Sequence, residues 1–361
     1  MTSMITRATS SNVRHILRTS ALSTFVMCIV AIASACGDGS SDAATTATPQ
    51  ATASTLPLDR LTAAYHDPNL EPSREAWAGL LADGEINHDP ISVVEFVRLR
   101  TDGSARATYD AYLDAFVPAV ERVGGELVSV NDTLMPGLEG LEGYDGGISW
   151  VATFPSIEAY VDAMLDEAVI DAASKRRESV DEAQTIAGPN LLPDLIKQLP
   201  PNEPASAFPS DRVIGKSQEQ IVADLLAVYP SGGADPTEST LESIVDYDGF
   251  ADQRVYFINL YAFNDTPDGG AAALGEYNAE ALPVVLAHGG RPKVLADVSH
   301  HLVGPTAWDR FIFVSWPSLA VFMDLRLDPV YLEAQKSRVV SANQYGNLVT
   351  VARADDPAAA H

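Results

Sequence analysis

The sequence predicts an α+β fold built from two tandem βαββαβ repeats, and three observations carry that reading. Tyr112 to Gly125 reads YLDAFVPAVERVGG and Tyr277 to Gly290 reads YNAEALPVVLAHGG, so a tyrosine, a proline and a glycine pair coincide at one offset. Phe154-Pro155-Ser156 and Trp316-Pro317-Ser318 then follow in the same order, Arg176 matches Arg338, and Pro72-Ser73 upstream matches Pro236-Thr237. Between these landmarks, short apolar runs alternate with longer amphipathic stretches, the pattern of strands alternating with helices.

Each repeat opens on a strand, Ser92–Leu99 and Val255–Phe263. A helix follows, Ala107–Val123 and Ala272–His288, and the glycine pair ends it because glycine accepts the left-handed C-cap conformation. Pro118 and Pro283 lie inside these helices and are expected to kink them or to mark a broken first turn. The second strand is Glu126–Leu134 and Pro292–Ser299, with His300-His301 at its end, and the third is Gly147–Phe154 and Arg310–Trp316. A second helix spans Ser156–Ala183 and Ser318–Ala342, the latter interrupted at Asp328-Pro329, and a last strand lies near Gln184–Ala187 and Asn347–Arg353. That order is the ferredoxin-like split unit. Val255–Phe263 and Phe311–Trp316 are almost continuously apolar, which implies that both faces are covered. Helices cover one face of a four-stranded unit; the other is expected to meet the sheet of the second repeat, giving an intrachain pseudo-dimeric α/β barrel. With an internal pseudo-two-fold, the chain is expected to be a monomer.

The first 36 residues address the chain to a membrane. Arg7, Arg14 and Arg18 precede the apolar stretch Ala21–Ile32, and Ala33-Ser34-Ala35 precede Cys36. A positive region, a short apolar region and small residues before a cysteine resemble a bacterial lipobox, in which that cysteine is lipidated and becomes the mature N-terminus. The expected organisation is a lipoprotein signal peptide at 1–35, a flexible Ser/Thr/Ala tether at 36–56, repeat 1 at 57–187, a proline-rich linker at 188–216 and repeat 2 at 217–354. The location that follows is a cell membrane, with the body lipid-anchored and facing outside the cytoplasm. The chain carries a net charge of −26, and removing residues 1–35 takes away three arginines and no acid. So acidic a body repels nucleic acid and anionic headgroups, which leaves the lipid on Cys36 as the membrane link. Cys28 lies in the leader, so no disulfide is expected in the mature chain.

Repeat 2 resembles the uncharacterised bacterial family known as domain of unknown function 1330, of the dimeric α/β-barrel superfamily. The resemblance runs from about Asp235 to Arg353 and rests on Pro236-Thr237, Phe257-Ile258-Asn259-Leu260, Tyr277, Pro283, His288-Gly289-Gly290-Arg291, Trp308-Asp309-Arg310, Trp316-Pro317-Ser318 and Asp328-Pro329-Val330-Tyr331. Repeat 1 departs from it: Glu95 replaces the asparagine, Arg122-Val123 precedes the glycine pair, and Tyr144-Asp145 replaces Trp-Asp. The resemblance implies the fold. Its superfamily includes cofactor-independent monooxygenases, isomerases, haem enzymes and ligand binders, so it selects no activity.

The candidate residues therefore have to be weighed singly. Asn259 sits mid-strand in an apolar run, where its amide either orients a ligand or makes a structural bond. Glu95 is either a carboxylate with raised pKa facing the barrel interior or a residue that pairs with a cation such as Arg98 or points outward. His288 and Arg291 flank the glycine pair, and with Asn259 they are the catalytic candidates of an oxygenase-like or isomerase-like site that also takes in Tyr261. Tyr261, Tyr277, His300, Trp308, Asp309 and Arg310 are ligand-binding candidates, with Trp308-Asp309-Arg310 placed at a cavity mouth or in an Asp–Arg pair. His300 and His301 should point to opposite faces of their strand, and no metal-ligand spacing such as HExxH occurs, so no metal or cofactor is expected. The loop Pro136–Gly147 holds Glu139, Glu142 and Asp145 among glycines, which disfavours phosphate and leaves a solvated loop. No GxSxG, Walker sequence or CxxC pair is present. The favoured expectation is a lipoprotein that binds a small, partly apolar ligand in its barrel; the alternative is the repeat-2 enzyme.

Overall fold

The structure is a computed structural model and describes residues 55–85, 87–136, 141, 143–144, 146–192, 203–229, 237–266 and 269–353. The leader, Cys36, most of the tether, and Glu139, Glu142 and Asp145 lie outside the described residues.

The chain is α+β, with one nine-stranded antiparallel sheet and, among the described residues, ten α-helices. Helices α1 (Thr55–Ala64) and α2 (Arg74–Gly84) lead into β1 (Ile91–Leu99), α3 (Ala105–Arg122), β2 (Glu126–Pro136), β3 (Ile148–Phe154), α4 (Ile157–Met164), α5 (Glu167–Ser179) and β4 (Val180–Pro189). After the linker come α6 (Gln218–Val228), α7 (Glu238–Val245), β5 (Val255–Phe263), α8 (Gly270–Ala287), β6 (Arg291–Asp297), β7 (His300–Val303), β8 (Arg310–Trp316), α9 (Leu319–Arg326), α10 (Pro329–Ser341) and β9 (Ala342–Ala352). Thr55 and Leu56, assigned to the tether from sequence, belong to α1.

Local chemistry sets the boundaries. Gly124 and Gly289 take φ of 76° and 77° after α3 and α8, the left-handed turn that the glycine pairs predicted. Pro118 and Pro283 sit deep inside continuous helices and mark no broken first turn. The second helix of each half is two helices. The Asp328 side chain caps α10 by accepting from the Val330 amide, as the Asp-Pro break implied, and Asp166 caps α5 the same way through the Ala168 amide. The first-half break went unseen because no proline marks it. The second strand of the second half is also divided: His300 and His301 start the separate strand β7.

The strand order is β6-β8-β5-β9-β2-β3-β1-β4-β7. The first half contributes β2-β3-β1-β4 and the second β6-β8-β5-β9, joined where β9 pairs with β2 from Asn131↔Ala352 to Pro136↔Leu348. At the far side β4 pairs with β7, Asn190 bridges Ala296 of β6, and the Leu191 amide donates to the Leu295 carbonyl at 2.7 Å. The two ends of the sheet thus meet, and the sheet closes on itself.

Alternation along each strand divides the core into three parts. Val94, Phe96, Val151 and Ile186 of the first half meet Ile258, Leu260, Phe311, Phe313 and Leu348 of the second inside the closed sheet. The opposite faces pack under helices, Val93 and Val97 in one cluster and Phe257 and Tyr261 in another. Continuous apolarity in β5 and β8 does reflect burial on both faces. Among the described residues, no helix is long and apolar enough to cross a membrane.

Candidate functional site

Glu95 is the fifth residue of β1. Its neighbours Val94 and Phe96 point into the closed sheet, so Glu95 points the other way, toward α3 and α5. Of the readings of Glu95, the carboxylate facing the barrel interior is thereby excluded. Arg98 is not its partner either: Arg98 pairs with Asp181 and Glu182, while Glu95 pairs with Arg176 of α5.

The Glu95 carboxylate accepts five hydrogen bonds. On Oε1 the donors are the Tyr109 hydroxyl at 2.7 Å, the Trp150 indole N–H at 3.3 Å and Arg176 Nε at 3.3 Å. On Oε2 they are Arg176 Nη2 at 2.8 Å and the Thr185 hydroxyl at 2.9 Å. Trp150 and Thr185 stand directly across from Glu95 on the two neighbouring strands, and Tyr109 comes down from α3. Arg176 uses Nη1 to donate to the Leu70 carbonyl at 2.5 Å. Both ions are buried, at 4% and 3% exposure, and both are well supplied with partners, the condition under which a buried pair is tolerated.

The chain between α1 and α2 closes the top of this site. Glu71, itself buried, accepts from the His66 and Asp67 amides at 2.7 and 2.9 Å and from Arg177 Nη1 at 2.9 Å. The Tyr65 hydroxyl donates to the Met164 carbonyl at 2.8 Å. Beneath this cover Tyr65, Glu71, Pro72, Glu95, Tyr112, Trp150, Tyr160, Met164, Arg176 and Thr185 line a cavity of about 10 Å³, room for one water-sized group. The Tyr112 and Tyr160 side chains are each 1% exposed, and their hydroxyls make no hydrogen bond among the described residues. Burial raises the hydroxyl pKa of Tyr109, Tyr112 and Tyr160 above the ordinary tyrosine range, and the Glu95 charge pushes the same way. Burial works against the charge on Arg176, but Glu95 outweighs it and the net shift is upward. At neutral pH the cavity is a set of neutral hydroxyl donors beside a balanced ion pair.

The candidates from repeat 2 do not gather in one place. Asn259 donates from Nδ2 to the Ile312 carbonyl at 3.3 Å and accepts from Asn347 Nδ2 at 2.7 Å. His288 caps α8, with Nδ1 2.9 Å from the Val284 carbonyl and Nε2 3.3 Å from Asp324. Arg291 donates to the Leu286 and Gly290 carbonyls, both at 3.0 Å. Tyr261 and Tyr277 lie under the helices, where the Tyr277 and Tyr331 hydroxyls are 3.0 Å apart. His300 reaches Asp83 of α2 at 3.0 Å and His301 reaches the Trp308 carbonyl at 2.7 Å. Trp308 is fully buried inside the closed sheet and donates to Gln184 Oε1 at 3.1 Å. Asp309 accepts from the Phe263 amide, and Arg310 pairs with Asp297 rather than with Asp309. No group of three or more His, Cys, Asp or Glu suited to a metal occurs among the described residues.

Sequence reasoning read Arg176 only as a repeat landmark and passed over Tyr65, Glu71, Tyr109, Trp150, Tyr160 and Thr185. The signal available was periodic: Val169, Ala172, Ala173 and Arg176 form the buried face of α5, which puts a charge among apolar residues.

No family model matches the sequence, and no curated protein matches it. Among solved structures, a protein of unknown function from Rhodopseudomonas palustris is similar at 23% identity over 35% of this chain and 100% of its own, with a TM-score of 0.31. A Lactobacillus acidophilus NCFM protein named only provisionally as a monooxygenase is similar at 6% identity over 73% of this chain and 93% of its own, TM-score 0.41. Chlorite dismutase from Candidatus Nitrospira defluvii is similar at 11% identity over 73% of this chain and 91% of its own, TM-score 0.38. Likeness at this level bears on neither activity nor ligand.

Proposed function

We propose that the first half binds a small, uncharged, flat and partly apolar molecule through a hydrogen-bond acceptor, in the cavity between the sheet and its helices. The observation that carries this is the pair of buried tyrosines, Tyr112 and Tyr160, that line the cavity beside Glu95–Arg176 and whose hydroxyls make no hydrogen bond among the described residues. A buried donor without a partner costs about 1–3 kcal/mol, which a ligand acceptor would recover. Glu95 is balanced by Arg176 and Glu71 by Arg177, so the site offers no free charge and a neutral ligand suits it better than an anion. Chemistry by proton abstraction would need a free base. Glu95 holds five donors and the tyrosines stay protonated, which supports binding over proton abstraction in this cavity; the scatter of Asn259, His288 and Arg291 over separate partners weighs against the repeat-2 enzyme. Entry of a molecule larger than water requires the Tyr65–Ser73 segment to lift.

Calorimetry with p-cresol, acetophenone and benzoate tests the reading. The two neutral compounds should bind, and Tyr112→Phe with Tyr160→Phe should remove their binding while leaving the response to benzoate unchanged and the melting temperature intact. Absence of binding by every neutral compound, or unchanged binding by the double variant, would overturn it.

The larger frame is also a proposal. The two halves, each with its central strand between two others and its helices on one face, are tandem ferredoxin-like units paired as an internal pseudo-dimeric barrel. The arginines, apolar run and small residues before Cys36 support export and lipid anchoring at the outer side of a membrane. Labelling cells with an alkyne fatty acid should mark the chain, and Cys36→Ser should abolish the mark; a labelled Cys36→Ser chain would refute the anchor.

A further inference from the structure

We infer that the second half holds a separate carboxylate-binding site at Arg338, where a ligand's carboxylate takes the place that Glu95 fills in the first half. The positions correspond residue by residue. Asn259 is the fifth residue of the nine-residue strand β5, as Glu95 is of β1. Asn259 faces Ile312 and Asn347 across its two neighbours, as Glu95 faces Trp150 and Thr185. Arg338 is the tenth residue of the thirteen-residue α10, as Arg176 is of α5.

The arginine persists and its carboxylate is gone. Arg338 is 8% exposed, donates from Nη1 to Gln335 Oε1 at 3.1 Å, and lies 4.6 Å from the centre of the Tyr345 ring. It forms no ion pair among the described residues, and the groups that act on it electrostatically are the tyrosines 261, 277, 331 and 345. Burial raises Tyr261 and Tyr277, so these two carry no charge at neutral pH and offer Arg338 no counter-ion. The Gln335 amide, the Tyr261 hydroxyl and the Tyr345 ring face are all neutral, so the guanidinium is taken out of water with no counter-charge. On the strand facing Asn259, the side-chain amide oxygen Oδ1 of Asn347 is buried without a partner.

The second half is also the more open. Asn259 and Ile312 are partly exposed on the helix-facing surface, whereas Glu95 and Trp150 are 4% and 2% exposed. The occupant that fits is a small carboxylate with a flat apolar body: the charge pairs with Arg338, and the body lies against tyrosine rings and Ile312.

The test uses the full-length chain with benzoate as probe, and benzamide and phosphate as controls. In the chain carrying Tyr112→Phe with Tyr160→Phe, benzoate should bind while benzamide and phosphate should not, and in the otherwise unaltered chain Arg338→Gln should weaken benzoate by about tenfold or more. Asn259→Glu supplies the missing carboxylate from within; it should raise the melting temperature without ligand and abolish benzoate binding. This second variant keeps the test decisive if Arg338→Gln does not fold. Tyr112→Phe with Tyr160→Phe should leave benzoate binding intact, which separates this site from the first-half cavity. Undiminished benzoate binding by Asn259→Glu, no benzoate binding by the unaltered chain, or equal binding of phosphate would overturn the assignment.

Discussion

The two halves place an arginine at the same point beneath the sheet and treat it in opposite ways. In the first half Arg176 meets Glu95 inside a shell of donors, and the cavity beside them is closed. In the second half Arg338 meets Asn259's side of the sheet with no carboxylate, among tyrosines, and the sheet surface is partly open. The difference teaches that a buried charge is a local bargain, fixed by what lies within one residue's reach. Changing one strand residue from glutamate to asparagine turns a self-contained ion pair into a cation that seeks its partner elsewhere.

The largest expected effect follows from breaking the pair that is complete. Glu95→Ala leaves Arg176 buried and unpaired, and should cost about 3–5 kcal/mol in denaturant unfolding. Arg338→Met removes a charge that has no carboxylate to strand, and should change stability by about 1 kcal/mol or less, in either direction. Equal losses from the two variants would mean that the second arginine is compensated as well as the first, and the comparison would collapse. Combining Glu95→Leu with Arg176→Met should recover most of what Glu95→Ala loses, since no lone charge remains.

Alkaline unfolding sharpens the contrast by a smaller amount. A tyrosine whose folded pKa lies above its unfolded value near 10 is held protonated by the fold, so the folded state binds more protons as pH rises past that value. The stability it contributes is fully present below about pH 10 and falls above it, by up to about 1.4 kcal/mol per pH unit for each such group. Burial, with Glu95 reinforcing it, raises Tyr109, Tyr112 and Tyr160 in the first half; burial raises Tyr261 and Tyr277 in the second, where Arg338 opposes it. Melting curves from pH 9 to 11.5 should therefore steepen downward above pH 10. Tyr109→Phe should flatten that fall more than Tyr261→Phe. The reverse order would show that Glu95 does not act on its neighbours as the geometry implies.

Much of this arrangement was legible in the chain, and the parts that were not share a cause. Strand Arg310–Trp316 and strand Val255–Phe263 were fixed to the residue because an apolar run ends where charge or proline begins. The glycine pairs gave the helix ends because their left-handed turn has few other occupants. The break before α5 was missed because an aspartate cap is a weaker mark than Asp-Pro. Glu95 was seen with its direction left open: in a strand buried on both sides, hydrophobicity does not tell one face from the other, and only the neighbouring elements decide. The site was sought in the half that carries the family-like residues. The residues that surround a buried charge come from three strands, two helices and a covering segment, and no spacing in sequence announces that they meet.

The smallest effect tests the hydroxyls themselves. Tyr112 and Tyr277 are both the eighth residue of eighteen-residue helices, yet their hydroxyls differ in company. That of Tyr112 has no partner among the described residues, so Tyr112→Phe removes a buried group that was gaining nothing from the protein and should leave the unfolding free energy within about 0.5 kcal/mol, or raise it. That of Tyr277 lies 3.0 Å from the Tyr331 hydroxyl and 3.4 Å from Gln335 Nε2, so Tyr277→Phe leaves two buried polar groups short of a partner and should cost about 1–2 kcal/mol. A cost for Tyr112→Phe as large as that for Tyr277→Phe would mean that the first hydroxyl is already satisfied in solution, by a bound water in the small cavity. In that case the cavity is complete without a ligand, and binding there would have to displace the water at a loss.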